Sequence, residues 1–198
     1  RLFVLLRHDS GYQRYNVMLA SALLERDDTY LAFNDILHDR EQTMSRLARL
    51  DAIGLHMLSA EGPDSHAQIV RALDLDPPKL IIGTSRMTHL PPLLQAYIAQ
   101  TYERLSGSIW LYAPLVQSGQ QSVHVRFPGR YRVELSRGGT TSINGQAVPN
   151  GAMLELPSTR LDIAAPSALR LRFLPNGLEE LVDPRHAARR SFYPRLYE

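Results

Sequence analysis

The chain switches its hydrophobic pattern near Pro114, and that switch narrows its possible folds more than any single residue does. Upstream, short apolar runs alternate with long stretches whose apolar residues recur every three or four positions. Downstream come short segments of strict alternation, separated by Gly, Pro and Asn. Strands that alternate with helices need crossover connections and give a parallel or mixed sheet. Closely spaced strands of period two give antiparallel sheets with one buried face. The expected fold class is therefore a small parallel or mixed α/β sheet with flanking helices over residues 1–114. A small antiparallel β-sandwich-like unit follows over residues 115–175, and a tail, 176–198, packs back on the body. At 198 residues and 44% apolar content, the chain is long enough for one large core or two small ones.

In the first half, Ser10 suits the N-cap of a helix running to about Glu25, with Tyr15, Met18, Leu19, Ala22 and Leu23 as its apolar stripe. Thr29–Phe33 has the β-branched and aromatic content of a buried strand. A second helix is expected from Glu41 to about Ala60, turning Met44, Leu47, Leu50 and Ile53 inward, with Gly54 weakening its middle. Pro63-Asp64-Ser65 opens a third helix through Ile69, Val70 and Leu73, and Asp76-Pro77-Pro78 stops it, because a proline disfavours helical geometry in the residue before it. Lys79–Thr84 reads as a parallel strand ending in Gly83 and Thr84. A helix from Pro91 to Leu105 and an apolar strand, Ser108–Tyr112, complete the half.

In the second half, Val123, Val125 and Phe127 alternate with His124 and Arg126, and Leu169, Leu171 and Phe173 alternate with Arg170 and Arg172. Expected strands are Gln121–Phe127, Arg130–Ser136, Thr141–Ile143, Ala152–Leu156, Arg160–Ile163 and Leu169–Phe173. Pro128-Gly129, Gly138-Gly139, Asn144-Gly145 and Asn150-Gly151 supply turns, since Gly and Asn tolerate positive φ. A short helix is expected at Leu178–Val182. The basic tail that follows, with Arg185, Arg189, Arg190 and Arg195, suits either solvent or anionic lipid head groups.

Composition excludes some chemistry. Twenty-two basic against 20 acidic residues leave a formal charge of +2, with no tract dense enough in basic and aromatic residues for nucleic acid. Zero Cys removes disulfides and thiolate metal sites. Lys79 is the only lysine, so positive charge here means arginine, which forks onto carboxylate or phosphate. No metal site is expected, because His8-Asp9 and His38-Asp39 lack further ligands at a usable spacing. No Gly-rich phosphate loop, Gly-x-Ser-x-Gly elbow or His-Glu-x-x-His motif is present, so no catalytic residue is assigned. The best local constellation is Thr84, Ser85 and Arg86 with His89, at the carboxyl end of a strand, where hydroxyls and a guanidinium can hold an anion. Asp35, just past the strand Thr29–Phe33, is a second ligand-binding candidate, although capping the next turn explains it more simply. Tyr97, Tyr102, Trp110 and Tyr112 serve core packing, with a sugar-stacking platform as the sharper alternative.

Several segments together carry a family resemblance. They are Gly11-Tyr12-Gln13-Arg14-Tyr15, Asp28–Asp35, Asp76-Pro77-Pro78-Lys79-Leu80-Ile81-Ile82, Leu90-Pro91-Pro92, Tyr102 and Ile109-Trp110-Leu111-Tyr112. Over residues 10–115 the chain resembles the soluble portion after the last membrane helix of bacterial polytopic glycosyltransferases of the protein-mannosyltransferase and aminoarabinose-transferase type. The resemblance implies a polyprenyl-phosphate sugar donor for the parent protein, catalysis by acidic residues in upstream membrane-side loops, and no cofactor in this portion. It also implies a position on the periplasmic side of the bacterial inner membrane and an upstream transmembrane domain of the same chain as partner, with glycan or lipid-linked sugar as a further one. The start at Arg1, with no initiator Met, agrees with a segment of a longer polypeptide. The expected function is accessory: recognition of acceptor or partner. Two alternatives remain open, a free-standing ligand-binding or interaction module with an anion or sugar site near Thr84–Arg86, and a small hydrolase or transferase using Asp35 or His38.

Overall fold

A computed structural model describes residues 10–32, 37, 42, 52–83 and 85–182. The chain divides into two compact units. One comprises residues 1–98, 104–110 and 179–198, and the other residues 99–103 and 111–178.

In the first unit, helix α1 (Ser10–Leu23) buries Tyr12, Tyr15, Leu19, Ala20 and Leu23. Met18, expected in its stripe, is 54% exposed, because the buried face is centred on Tyr12, Asn16 and Leu19 instead. Strand β1 (Tyr30–Ala32) is followed by helices α2 (Ala52–Ala60) and α3 (Pro63–Leu75) and by strand β2 (Leu80–Ile82). Pro63 sits in the first turn of α3, where its missing N–H costs nothing, and Asp76 leaves helical geometry ahead of Pro77. Helix α3 turns Ile69 and Leu73 inward, and each such side chain contributes roughly 1.5–3 kcal/mol on burial. Strands β1 and β2 pair in parallel, Tyr30 with Leu80 through Ala32 with Ile82, as crossover spacing requires. A 3-10 turn, Ser85–His89, leads into helix α4 (Pro92–Thr101).

Helix α4 stops short of its expected end. Residues Tyr102–Ser106 form strand β3, which turns at Ser106-Gly107-Ser108 into β4 (Ile109–Tyr112). Gly107 takes φ +55° there, a value costly for most other residues. The tight hairpin gives β3 a ladder partner, and strand pairing overrides the helical pattern of its sequence. The sheet order is β1-β2-β4-β3.

The second unit is antiparallel. It holds β5 (Leu115–Val116), β6 (Gly119–Val125), β7 (Gly129–Leu135), β8 (Thr140–Ile143), β9 (Gln146–Pro149), β10 (Met153–Leu156), β11 (Thr159–Ala165) and β12 (Leu169–Phe173); the short helix α5 (Leu178–Leu181) has only Leu178 in this unit. Two four-stranded sheets run β10-β7-β12-β5 and β6-β11-β8-β9. Strand β12 follows the expected Leu169–Phe173 span and buries Leu169, Leu171 and Phe173. Strands β5 and β9 lie outside the expected set: one has two residues, and the other ends on a proline. Asn144 (φ 50°) and Gly145 (φ 78°) make the β8–β9 hairpin, the backbone requirement behind that Asn-Gly pair.

Arg172 lies in this unit among acids. Its Nε and Nη2 donate to both oxygens of Glu103 at 2.9 and 2.6 Å, and Nη2 is 3.3 Å from Glu134. Burial opposes the charge, but the bonds and charge of Glu103, with the charge of Glu134, outweigh it and hold the guanidinium above its ordinary pKa. Arg170 instead donates to the carbonyls of Ala113 (2.8 Å), Ala99 (3.2 Å) and Tyr102 (3.3 Å). It thus supplies a donor to Ala99 in the last turn of α4, whose carbonyl the helix itself cannot satisfy, and two more to the backbone at the start of β3 and just past β4.

Candidate functional site

The carboxyl end of β2 is tightly filled. Gly83 donates its N–H to the Ser108 carbonyl at 2.6 Å. A Cβ at Gly83 would lie 2.9 Å from Trp110 Nε1, 3.1 Å from Met87 Sδ and 3.2 Å from the Ser108 oxygen. The glycine is required because the indole and a backbone carbonyl occupy the space a side chain would need. Ser85, Arg86 and His89 belong to the 3-10 turn that follows, and His89 is exposed at its end. Thr84 and Asp35 lie outside the described residues, as do the two His-Asp pairs, His8-Asp9 and His38-Asp39. Among the described residues, no group of acidic or imidazole side chains is placed to hold a metal ion.

Two buried polar arrangements in the first unit do architectural work. Asn16, with no exposed surface, donates from Nδ2 to the Tyr12 carbonyl at 2.8 Å. Its Oδ1 accepts from the Ser108 N–H (3.2 Å) and the Ser108 hydroxyl (2.8 Å). Tyr15 and Ser106 share a hydrogen bond of 2.9 Å beside it. Helix α1 is thus pinned to the β3–β4 turn. Lys79 meets the Asp28 carboxylate at 2.6 Å, and the same Oδ2 accepts the Glu25 N–H, so the only lysine of the chain closes the α1–β1 corner.

Of the expected aromatic cluster, Tyr97, Tyr102 and Tyr112 are buried and Trp110 is half-buried. Tyr102 and Tyr112 meet edge to face at 6.1 Å, and Tyr112 meets Phe127 the same way at 5.1 Å. Tyr102 and Tyr112 are both buried, which leaves no ring face of theirs open for a sugar.

The array best suited to a ligand is the outer face of β6-β11-β8-β9. Cross-strand register places His124 opposite Arg160, Ser122 opposite Asp162 and Gln120 opposite Ala164. Ala164 in turn faces Ser142, and Ser142 faces Ala147. Gln120, Ser122, His124, Arg160 and Asp162 are all exposed, while Val125, Leu161, Ile163 and Ile143 point the other way into the core. Arg160 Nε donates to Ser122 Oγ, which orients the guanidinium along the sheet. The result is a flat row of amide, hydroxyl, imidazole, guanidinium and carboxylate, with donors and acceptors side by side. The period-two pattern signalled an outward polar phase on each strand. It carried no register, so these five side chains could not be grouped in advance.

A family model described as Domain of unknown function (DUF7056) matches residues 58–111, from α2 to β4. No curated protein and no solved structure matches the chain. Among the described residues, no helix is long and apolar enough to cross a membrane.

Proposed function

We propose that this chain is a non-catalytic, periplasmic accessory portion of a membrane-bound glycosyltransferase-like protein that uses a polyprenyl-phosphate sugar. Its task in that reading is to recognise the acceptor or a glycan-bearing partner. The observation that carries the recognition role is the outer face of β6-β11-β8-β9, where Gln120, Ser122, His124, Arg160 and Asp162 stand exposed in register. Sugars present vicinal hydroxyls that both donate and accept, and a rigid sheet carrying a carboxylate, an amide and a guanidinium meets both needs at little entropic cost. The membrane assignment rests on the family resemblance of residues 10–115.

Saturation-transfer NMR on the 198-residue chain, against oligosaccharides bearing mannose, glucose and aminoarabinose, tests the recognition role. Transfer to at least one sugar, lost in Arg160→Ala and Asp162→Ala and retained in Arg86→Ala, is the expected result. Transfer to none, or loss confined to Arg86→Ala, overturns it and moves the site to the 3-10 turn. The membrane assignment is read from the coding sequence upstream of Arg1, which should encode several apolar spans of about 20 residues. An ordinary start codon at that point ends it.

A further inference from the structure

Among the described residues strand β6 stands at the edge of its sheet, with β11 as its one ladder partner. Asp162 in β11 points its carbonyl to the Asn144 N–H (2.7 Å) and its N–H to Asn144 Oδ1 (2.9 Å), on the β8 side. The Ala164 carbonyl accepts from Thr141 Oγ1, also on the β8 side. In an antiparallel pair, residues facing each other either exchange both bonds or neither. The pairs Asp162–Ser122, Ala164–Gln120 and, by the same alternation, Arg160–His124 therefore exchange none. The backbone N–H and C=O of Gln120, Ser122 and His124 consequently point outward, away from β11. The His124 carbonyl accepts the Tyr112 hydroxyl at 3.1 Å, which occupies one of its two lone pairs.

The other edges of the two antiparallel sheets are guarded in the usual ways. Strand β5 has two residues, β9 has four and ends on Pro149, and β10 has four, carries exposed Glu155 and is followed by Pro157. Strand β6 has seven residues, Gly-Gln-Gln-Ser-Val-His-Val, with no Lys, Arg, Asp, Glu or Pro among them; Arg126 and Pro128 follow only at its far end, and Gly119 through Ser122 are exposed. Its ladder with β11 runs unbroken from Val125 to Gly119, with no bulge to twist the edge away.

We infer that β6 pairs with β6 of a second copy of this chain, antiparallel about a two-fold axis at Ser122. The outward groups are spaced evenly about that residue. Ser122 then exchanges bonds with Ser122 of the other copy, and Gln120 exchanges with His124. The His124 carbonyl keeps a second lone pair for this beside Tyr112. Side chains fall Ser against Ser and Gln against His, so no like charges meet. The nearest like charges, on Asp162, which faces Ser122 from β11, lie three strand spacings apart across the axis, about 14 Å. That exceeds the screening length of roughly 8–10 Å at ordinary salt. An isologous contact of this kind continues one sheet through both copies and leaves its outer polar face open.

The test is sedimentation velocity on the 198-residue chain and its Ser122 variants over a concentration series, with amide hydrogen exchange. Wild type should associate reversibly to a dimer, with exchange slowing at Gln120, Ser122 and His124. Ser122→Pro removes an N–H that β11 does not use, so far-UV circular dichroism should stay native while association weakens at least tenfold. Ser122→Lys keeps the backbone and should also weaken it, whereas an equimolar mixture of Ser122→Lys with Ser122→Glu should restore the dimer. Wild type that stays monomeric up to about 1 mM, where binding free energy is only about 4 kcal/mol, overturns the inference. So does a dimer that Ser122→Pro and Ser122→Lys leave unchanged, or one whose protection falls elsewhere.

Discussion

Replacing Asn16 by Leu keeps most of the side-chain volume in α1 while deleting its hydrogen-bonding groups. Three bonds are lost: Nδ2 to the Tyr12 carbonyl, and the two that Oδ1 accepts from Ser108. Asn16 and Ser108 are both fully buried, so water cannot step in at either. A buried donor left without an acceptor costs about 1–3 kcal/mol, and the Ser108 hydroxyl can rotate whereas its N–H cannot. The expected loss is therefore about 2–4 kcal/mol. With a urea slope near 2 kcal/mol/M, the midpoint should fall by about 1–2 M. Urea unfolding followed by the fluorescence of Trp110, the single tryptophan, reads this out in the unit that holds the network. In a Ser108→Ala background one orphaned donor no longer exists, and the same substitution should cost about 1 kcal/mol less. A midpoint within about 0.3 M of wild type, or an identical cost in both backgrounds, refutes the claim that Asn16 holds α1 to the hairpin turn.

Gly83→Ala should destabilise by about 1–3 kcal/mol and shift Trp110 emission, because the new methyl meets the indole and a backbone carbonyl; unchanged emission and stability would contradict the close approach. Burial, reinforced by nearby Tyr112, pushes the Tyr131 phenol far above its usual value near 10. A raised folded pKa means that its contribution to stability is complete below about pH 10 and is lost as pH rises beyond that. Alkaline titration at 295 nm should show one fewer late-titrating phenol in Tyr131→Phe, and an equal count would contradict the assignment. The Arg172–Glu103 pair is about one-third exposed on each side, so a double-mutant cycle with Arg172→Gln and Glu103→Gln should give only about 0.5–1 kcal/mol, smaller at high salt. A salt-independent coupling would mean that the contact is packing rather than charge.

Periodicity served well where one element decides its own burial. The alternation of Leu169, Leu171 and Phe173 named a strand, its length and its inner face, because a pleat sends successive side chains to opposite sides. Asn144-Gly145 and Gly138-Gly139 located turns through a backbone need that few other residues meet. Met18 misled because one helical turn offers two overlapping apolar stripes, and the partner surface chooses between them. Residues 102–105 misled because the preceding helix could have continued through them; pairing with β4 drew them into a strand instead.

The candidate site divides along the same line. Thr84, Ser85, Arg86 and His89 are legible as a group because they adjoin in sequence at a strand end. Gln120, Ser122, His124, Arg160 and Asp162 went ungrouped because they come from strands some forty residues apart. What the residues alone determined was local: which stretches are helical or extended, which face of each strand is apolar, and where the backbone must turn. Only the tertiary structure decided register and sheet order, and with them the polar row, the unguarded edge of β6 and the Asn16 contact. The physical reason is that periodicity reports a burial direction for each segment, whereas the choice of neighbour depends on long-range hydrogen bonding and packing that many sequences of the same pattern can satisfy.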